Sequence, residues 1–124
     1  MAKKEPYEKL VAWKEAHNFV LLIYRATKGF PASEKFGMVS QLRRASVSVP
    51  SNIVEGYYRE SSKGLYRFLT ISRSSLAECS YLLRLSRDLS YIKKVEFDKL
   101  NKQCRKLGYL LDKFKRSIKA RREF

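Results

Sequence analysis

Apolar residues recur three and four positions apart along most of the chain, and no other feature of the sequence constrains the fold as much. The spacing is cleanest near the end, where Phe97, Leu100, Cys104, Leu107, Leu111, Phe114 and Ile118 step 3-4-3-4-3-4. Residues so spaced share one face of an α-helix, whereas a half-buried strand alternates at every second position. Three earlier segments repeat the step. The first carries Leu10, Trp13, His17, Val20, Tyr24 and Thr27; the second carries Val39, Leu42, Ser46, Val49, Ile53 and Gly56. The third runs through Leu65, Phe68, Ser72, Ser75, Cys79, Leu82, Ser86 and Leu89, thickened by Leu69, Leu76 and Leu83. An amphipathic helix must bury its stripe, and four of them in 124 residues bury theirs against one another. The sequence therefore predicts an all-α protein, one domain over residues 1–124, built as an antiparallel up-down-up-down four-helix bundle. Its helices are expected over about 7–28, 34–57, 62–89 and 94–121.

Gly and Pro punctuate this pattern. Lys28-Gly29-Phe30-Pro31 supplies a basic last turn, a glycine and a proline, the ordinary end of a helix. Ser33 is placed to cap the second helix, with Glu34 well set against its dipole, and Ser61-Ser62 to cap the third. Pro50 falls inside the second apolar stripe, which runs on past it. One helix kinked near Ser46–Pro50 is expected, since proline removes one backbone bond and disfavours α geometry at Val49.

Several function classes lack their residues. The longest apolar run, Phe19 to Tyr24, is far short of the roughly 20 residues that span a bilayer. Met1-Ala2-Lys3-Lys4-Glu5-Pro6 has no apolar stretch behind its lysines, so no secretory signal is expected and the cytoplasm is the predicted compartment, with no membrane partner. Cys79 and Cys104 lie on helical stripes and read as reduced core thiols. His17, the single histidine, reads as a partly buried structural residue. The five scattered glycines build no phosphate loop, and no Glu-x-x-His set equips the bundle for metal chemistry. No catalytic residue, metal or cofactor is expected, and the protein is not read as an enzyme.

Charge points elsewhere. The chain holds 27 Lys and Arg against 12 Asp and Glu, a net charge of +15. Such a field favours polyanions. The segment from Lys93 to Phe124 alone has twelve Lys and Arg and four Asp and Glu. Opposite its apolar stripe cluster Lys102, Arg105, Lys106, Lys113 and Arg116, with Tyr109 in the middle; the third helix adds Tyr66, Arg73, Tyr81 and Arg84. Cations neutralise phosphates, and tyrosines among them offer stacking surfaces for unpaired bases. The competing readings are a merely solvated face for the lysines and subunit contacts for the tyrosines.

One run is more specific than composition. Phe30-Pro31, Glu34, Phe36-Gly37 and the stretch from Gln41 through Arg43-Arg44-Ala45-Ser46, Pro50-Ser51-Asn52 and Glu55-Gly56 resemble the signature of the 23S rRNA-intervening sequence proteins. Leu10, Trp13, Ala16 and Ile23-Tyr24 before it, and Arg59, Phe68-Leu69, Ser75-Leu76-Ala77-Glu78 and Tyr91-Ile92 after it, extend the likeness. Gly64 departs from the pattern, where an acid is expected, as do Ser72, Ser86 and Ser90. The resemblance implies a four-helix bundle without established enzymatic activity that forms ring-like homopentamers. The resemblance also implies kinship with accessory variability proteins of retroelements, which bind nucleic acid and a reverse transcriptase. Gln41, Arg44, Ser48, Asn52 and Glu55 form a polar stripe within the signature, either a hydrogen-bonded network inside the bundle or a contact with a neighbouring subunit. The expected function is a nucleic-acid-binding accessory, RNA favoured, acting as a homo-oligomeric ring. The alternative is an interaction scaffold for an acidic protein partner.

Overall fold

A computed structural model describes residues 4–121 of the chain. The remaining ends of the predicted domain, residues 1–3 and 122–124, lie outside the described residues. Four α-helices follow one another: α1 (Val11–Thr27), α2 (Met38–Tyr57), α3 (Ser62–Asp88) and α4 (Lys94–Lys119), and no strand occurs among the described residues. Each helix packs on two neighbours in the cyclic order α1, α2, α3, α4, the layout of a four-helix bundle. Cross-helix contacts run in opposite sense along the α2–α3 and α3–α4 seams. Ser48 meets Ser75 while Ser72 meets Val49, and Arg87 covers Phe97 while Arg73 pairs with Asp112.

The stripes of α2 and α4 are buried as their spacing requires. Val39, Leu42, Ser46, Val49, Ile53 and Gly56 all face the core, as do Phe97, Leu100, Cys104, Leu107, Leu111 and Ile118, with Phe114 half-buried. Pro50 is itself buried, and α2 continues through it to Tyr57. Both cysteines are buried, and desolvation raises both thiols, Cys104 to about 11.

In α1 the expected stripe is rotated by one position. Ala12, Ala16, Phe19, Ile23 and Thr27 are buried, while Trp13 and Val20 are half-buried and Tyr24 and His17 are exposed. Two alanines give the true inward face little hydrophobic weight, so the bulkier flank of Trp13 and Tyr24 dominates the pattern. His17 is therefore no core residue; its ring stacks on Trp13, centroids 4.9 Å apart.

Helix starts also differ from expectation. Residues Pro6–Lys9 form a separate 3-10 turn before α1. Ser33 caps nothing, because Ala32–Glu34 is another 3-10 turn and α2 begins four residues later. Glu34 takes the capping role instead: its Oε1 accepts from the Met38 backbone N–H at 3.0 Å, and its Oε2 accepts from the Tyr91 hydroxyl at 2.6 Å. These bonds hold the Glu34 carboxyl below its ordinary value. Ser61 does cap α3, accepting from Gly64 N–H at 3.0 Å. Gly64, where an acid was expected, thus serves the cap with its backbone. At the far end Ser90 turns the chain with φ of 63°, a left-handed conformation that disfavours any side chain.

Candidate nucleic-acid interface

Helix α4 turns its stripe inward, so the residues about half a turn away form an outward ridge. Lys102, Arg105, Tyr109, Lys113 and Arg116 all lie there exposed, Tyr109 at 61%. Among the described residues none of these four cations has an acidic partner, and the reason is geometric. Two acids of α4 pair with other cations: Asp98 accepts from Lys94 at 3.1 Å and Asp112 from Arg73 at 3.1 Å. Their occupation leaves the ridge a run of uncompensated positive charge around one aromatic ring.

The rest of the sequence-predicted set is placed differently. Lys106 sits at the α1 edge of the ridge, its Nζ 3.2 Å from Glu15 Oε1. Glu15 also accepts from Gln103 Nε2 at 2.7 Å; that bond lowers its pKa against partial burial, with Lys106 adding to the lowering. Arg73 is half-buried at the α3 edge. Its guanidinium lies over Gly108, where a Cβ would come within 3.2 Å of Nη2, so the glycine admits it to α4. Arg84 is exposed and pairs with Asp88 at 3.2 Å, an i,i+4 bridge weak enough to exchange for a phosphate. Of the aromatic pair read beside Arg73, Tyr81 is exposed at 63%, but Tyr66 is half-buried beneath Lys115 Nζ, 5.1 Å from its ring centroid.

The polar stripe of α2 divides. Ser48 and Ser75 share a hydrogen bond of 2.8 Å across the α2–α3 seam, and Asn52 Nδ2 donates to the Ser48 carbonyl and hydroxyl at 2.8 and 2.9 Å. That half is a network inside the bundle. Gln41, Arg44 and Glu55 are exposed instead, with no side-chain partner among the described residues. Gln41 and Arg44 border a pocket of about 330 Å³ with Glu78.

Two features escape sequence reasoning. Between α1 and α4 a cleft brings Arg25 and Lys99 beside Lys102 and Lys106. Between α1 and α2 a second groove sets Phe36, 89% exposed, beside Lys35, Arg43 and Val47. There Arg43 is fixed by its Nε on Thr27 Oγ1 at 2.9 Å and by stacking on Tyr24, 4.4 Å from the centroid. Neither is visible in one helix's periodicity, because each combines the flanks of two helices. Among the described residues no group of His, Cys, Asp and Glu could hold a metal ion, and no helix is long and apolar enough to cross a membrane.

The profile of a family described as 23S rRNA-intervening sequence protein matches residues 8–113 of the chain. No curated protein matches it. Among solved structures, a protein of unknown function from the S23 ribosomal protein family of Bacteroides thetaiotaomicron shares the fold with a TM-score of 0.80. It is 23% identical, with 86% of this chain and 96% of that chain covered.

Proposed function

Since the chain belongs to the family of 23S rRNA-intervening sequence proteins, we propose that it is a non-enzymatic RNA-binding protein that engages single strands through the outward ridge of α4. The observation that carries this reading is the uncompensated ridge, four exposed cations around Tyr109 with Asp98 and Asp112 paired to other cations. A merely solvated helix face interleaves both signs. Changing Lys102, Lys113 and Arg116 together to Gln removes three phosphate contacts without touching the core. The slope of log K against log salt for a single-stranded RNA is expected to become shallower by about 2. Tyr109→Ala is expected to cost about 1–3 kcal/mol of affinity with little change in slope, as loss of base stacking does. An unchanged slope in the triple variant would reject the ridge.

The same reading includes self-association into a closed ring, pentameric as the resemblance implies. Phe36, Val47 and Tyr58 are exposed on the side of α1 and α2, and α2 lies diagonal to α4. Association there leaves every α4 ridge facing outward and multiplies weak contacts. Light scattering at micromolar protein is expected to give a mass near five times the 14.6 kDa of one chain, and a monomer would remove the ring. A second reading has its own observation. The groove around Phe36 carries Lys35, Arg43 and Arg44 and no acid, which suits an acidic protein segment with an apolar anchor, a reverse transcriptase among the candidates by resemblance. That reading predicts no salt-dependent affinity for RNA.

A further inference from the structure

We propose that the cleft between α1 and α4 receives one unpaired nucleotide of the bound RNA strand, its base on an apolar floor and its phosphate among Arg25, Lys99 and Lys102. The proposal rests on the reading of α4 as an RNA-binding face, because Lys102 belongs to both ridge and cleft. The cleft has a volume of about 720 Å³, within the range of small-ligand sites. Its floor is Leu22, Ala26 and Leu100, the first two half-buried and the third nearly inaccessible. Its rim carries Arg25, Lys99 and Lys102, with Lys106 already paired to Glu15, against one lining acid, Glu96.

Floor and rim together select the ligand. A free phosphate has no use for three aliphatic side chains, an apolar peptide has none for the cations, and an acidic segment with an apolar anchor would not continue along the α4 ridge, which shares Lys102 with the cleft. A nucleotide presents a flat face and an anion about one sugar apart. Gln103 adds a recognition element. Its Nε2 donates to Glu15 at 2.7 Å, which fixes the amide plane and leaves a carbonyl oxygen and a second N–H for a base edge. Glu15, the other acid nearby, is already held by Gln103 and Lys106 and does not repel the incoming phosphate as a bare carboxylate would. Bases in a duplex are stacked and paired, so their faces cannot reach the floor.

The test compares oligouridylate of about 12 nucleotides, within the footprint range of single-strand binders, with an RNA duplex of the same length, by fluorescence anisotropy on the full chain. The double variant Arg25→Gln/Lys99→Gln changes exposed residues outside the ridge. It is expected to bind the single strand about tenfold more weakly, with the salt slope shallower by about 1.4, and the duplex within twofold of wild type. The ridge variant Arg105→Gln/Lys113→Gln is expected to weaken both RNAs alike. Ala26→Phe, which fills the floor, is expected to lose single-strand preference; if circular dichroism shows it unfolded, the double variant decides alone. A ridge variant that weakens binding beside a cleft variant that leaves both RNAs unchanged, or weakens both equally, would overturn the cleft and spare the ridge. Wild-type protein that binds neither RNA would end the functional reading, and the cleft with it.

Discussion

Along the seam between α2 and α3, small residues bring the two helices into close approach, whereas between α1 and α4 long side chains bridge a seam flanked by clefts. At Gly56 an added Cβ would lie 3.0 Å from both Leu65 Cδ1 and Phe68 Cβ. Ser72, fully buried, donates to the Val49 carbonyl at 2.8 Å, and Ser48 meets Ser75 at the same distance. The α1–α4 seam is bridged at mid-length by Glu15 with Gln103 and Lys106, between clefts lined by Leu22, Leu100 and the cations at one end and by Leu10, Val11 and Phe114 at the other. Close packing makes the first seam structural, and its pocket beside Gln41, Arg44 and Glu78 has about 330 Å³ against about 720 Å³ for the α1–α4 cleft. The second seam keeps concave surface and charge, the raw material of recognition.

The largest expected effect that would break this contrast is at the tight seam. Gly56→Val forces a branched side chain against Phe68 Cβ, which has no room to move, and is expected to destabilise by about 1–3 kcal/mol in urea unfolding. A neutral result would mean that α2 and α3 are not closely packed. Next, Ser72→Ala removes a buried donor and is expected to cost about 1 kcal/mol. The matching Gln103→Ala, on the open seam where water replaces the lost bond, is expected to cost no more than about 0.5 kcal/mol. Equal losses would erase the distinction.

Gly108→Ala sharpens it from the opposite direction. The new methyl meets only the far end of the Arg73 side chain, which can shift, so the gain in helix propensity is expected to leave stability equal or up to about 1 kcal/mol higher. Acid gives the smallest effect. The Glu15 carboxyl is held below its ordinary 4.5 by the Gln103 hydrogen bond and by Lys106, so its contribution is present above that value and lost as pH falls through the lowered one. Glu34, lowered by Tyr91 and the Met38 N–H, behaves alike. Tm is expected to hold from neutral pH to about 5 and decline below it, the decline being smaller in Glu15→Gln. An equal decline would remove Glu15 as a tie between α1 and α4.

Legibility varied with how much hydrophobic weight an inward face carries. α4 packs through Phe97, Leu100, Leu107 and Leu111, and its spacing alone places both the core and, by opposition, the ridge of Lys102, Arg105, Tyr109, Lys113 and Arg116. α1 packs through Ala12 and Ala16 as much as through Phe19 and Ile23, so its stripe reads one position off and sets His17 inside when it is exposed. Ser33 matched the preference for a cap and lost it to Glu34, because a carboxylate also within reach of Tyr91, distant in sequence, ties two elements at once.

The sequence by itself determined four helices, the inward faces of α2 and α4 and the sign of the field around them, since these follow from the spacing and kind of residues within one segment. Tertiary structure decided which cations stand free. Arg73 and Lys106 look like members of the ridge in sequence, yet Asp112 and Glu15 claim them once α3 and α1 pack against α4. It also decided where concave surface remains: Arg25 and Lys99 share a cleft only because two helices meet at a distance set by the residues between them. Periodicity is a property of one helix; a pairing of charges or a cleft is a property of two, fixed by packing that no single segment encodes.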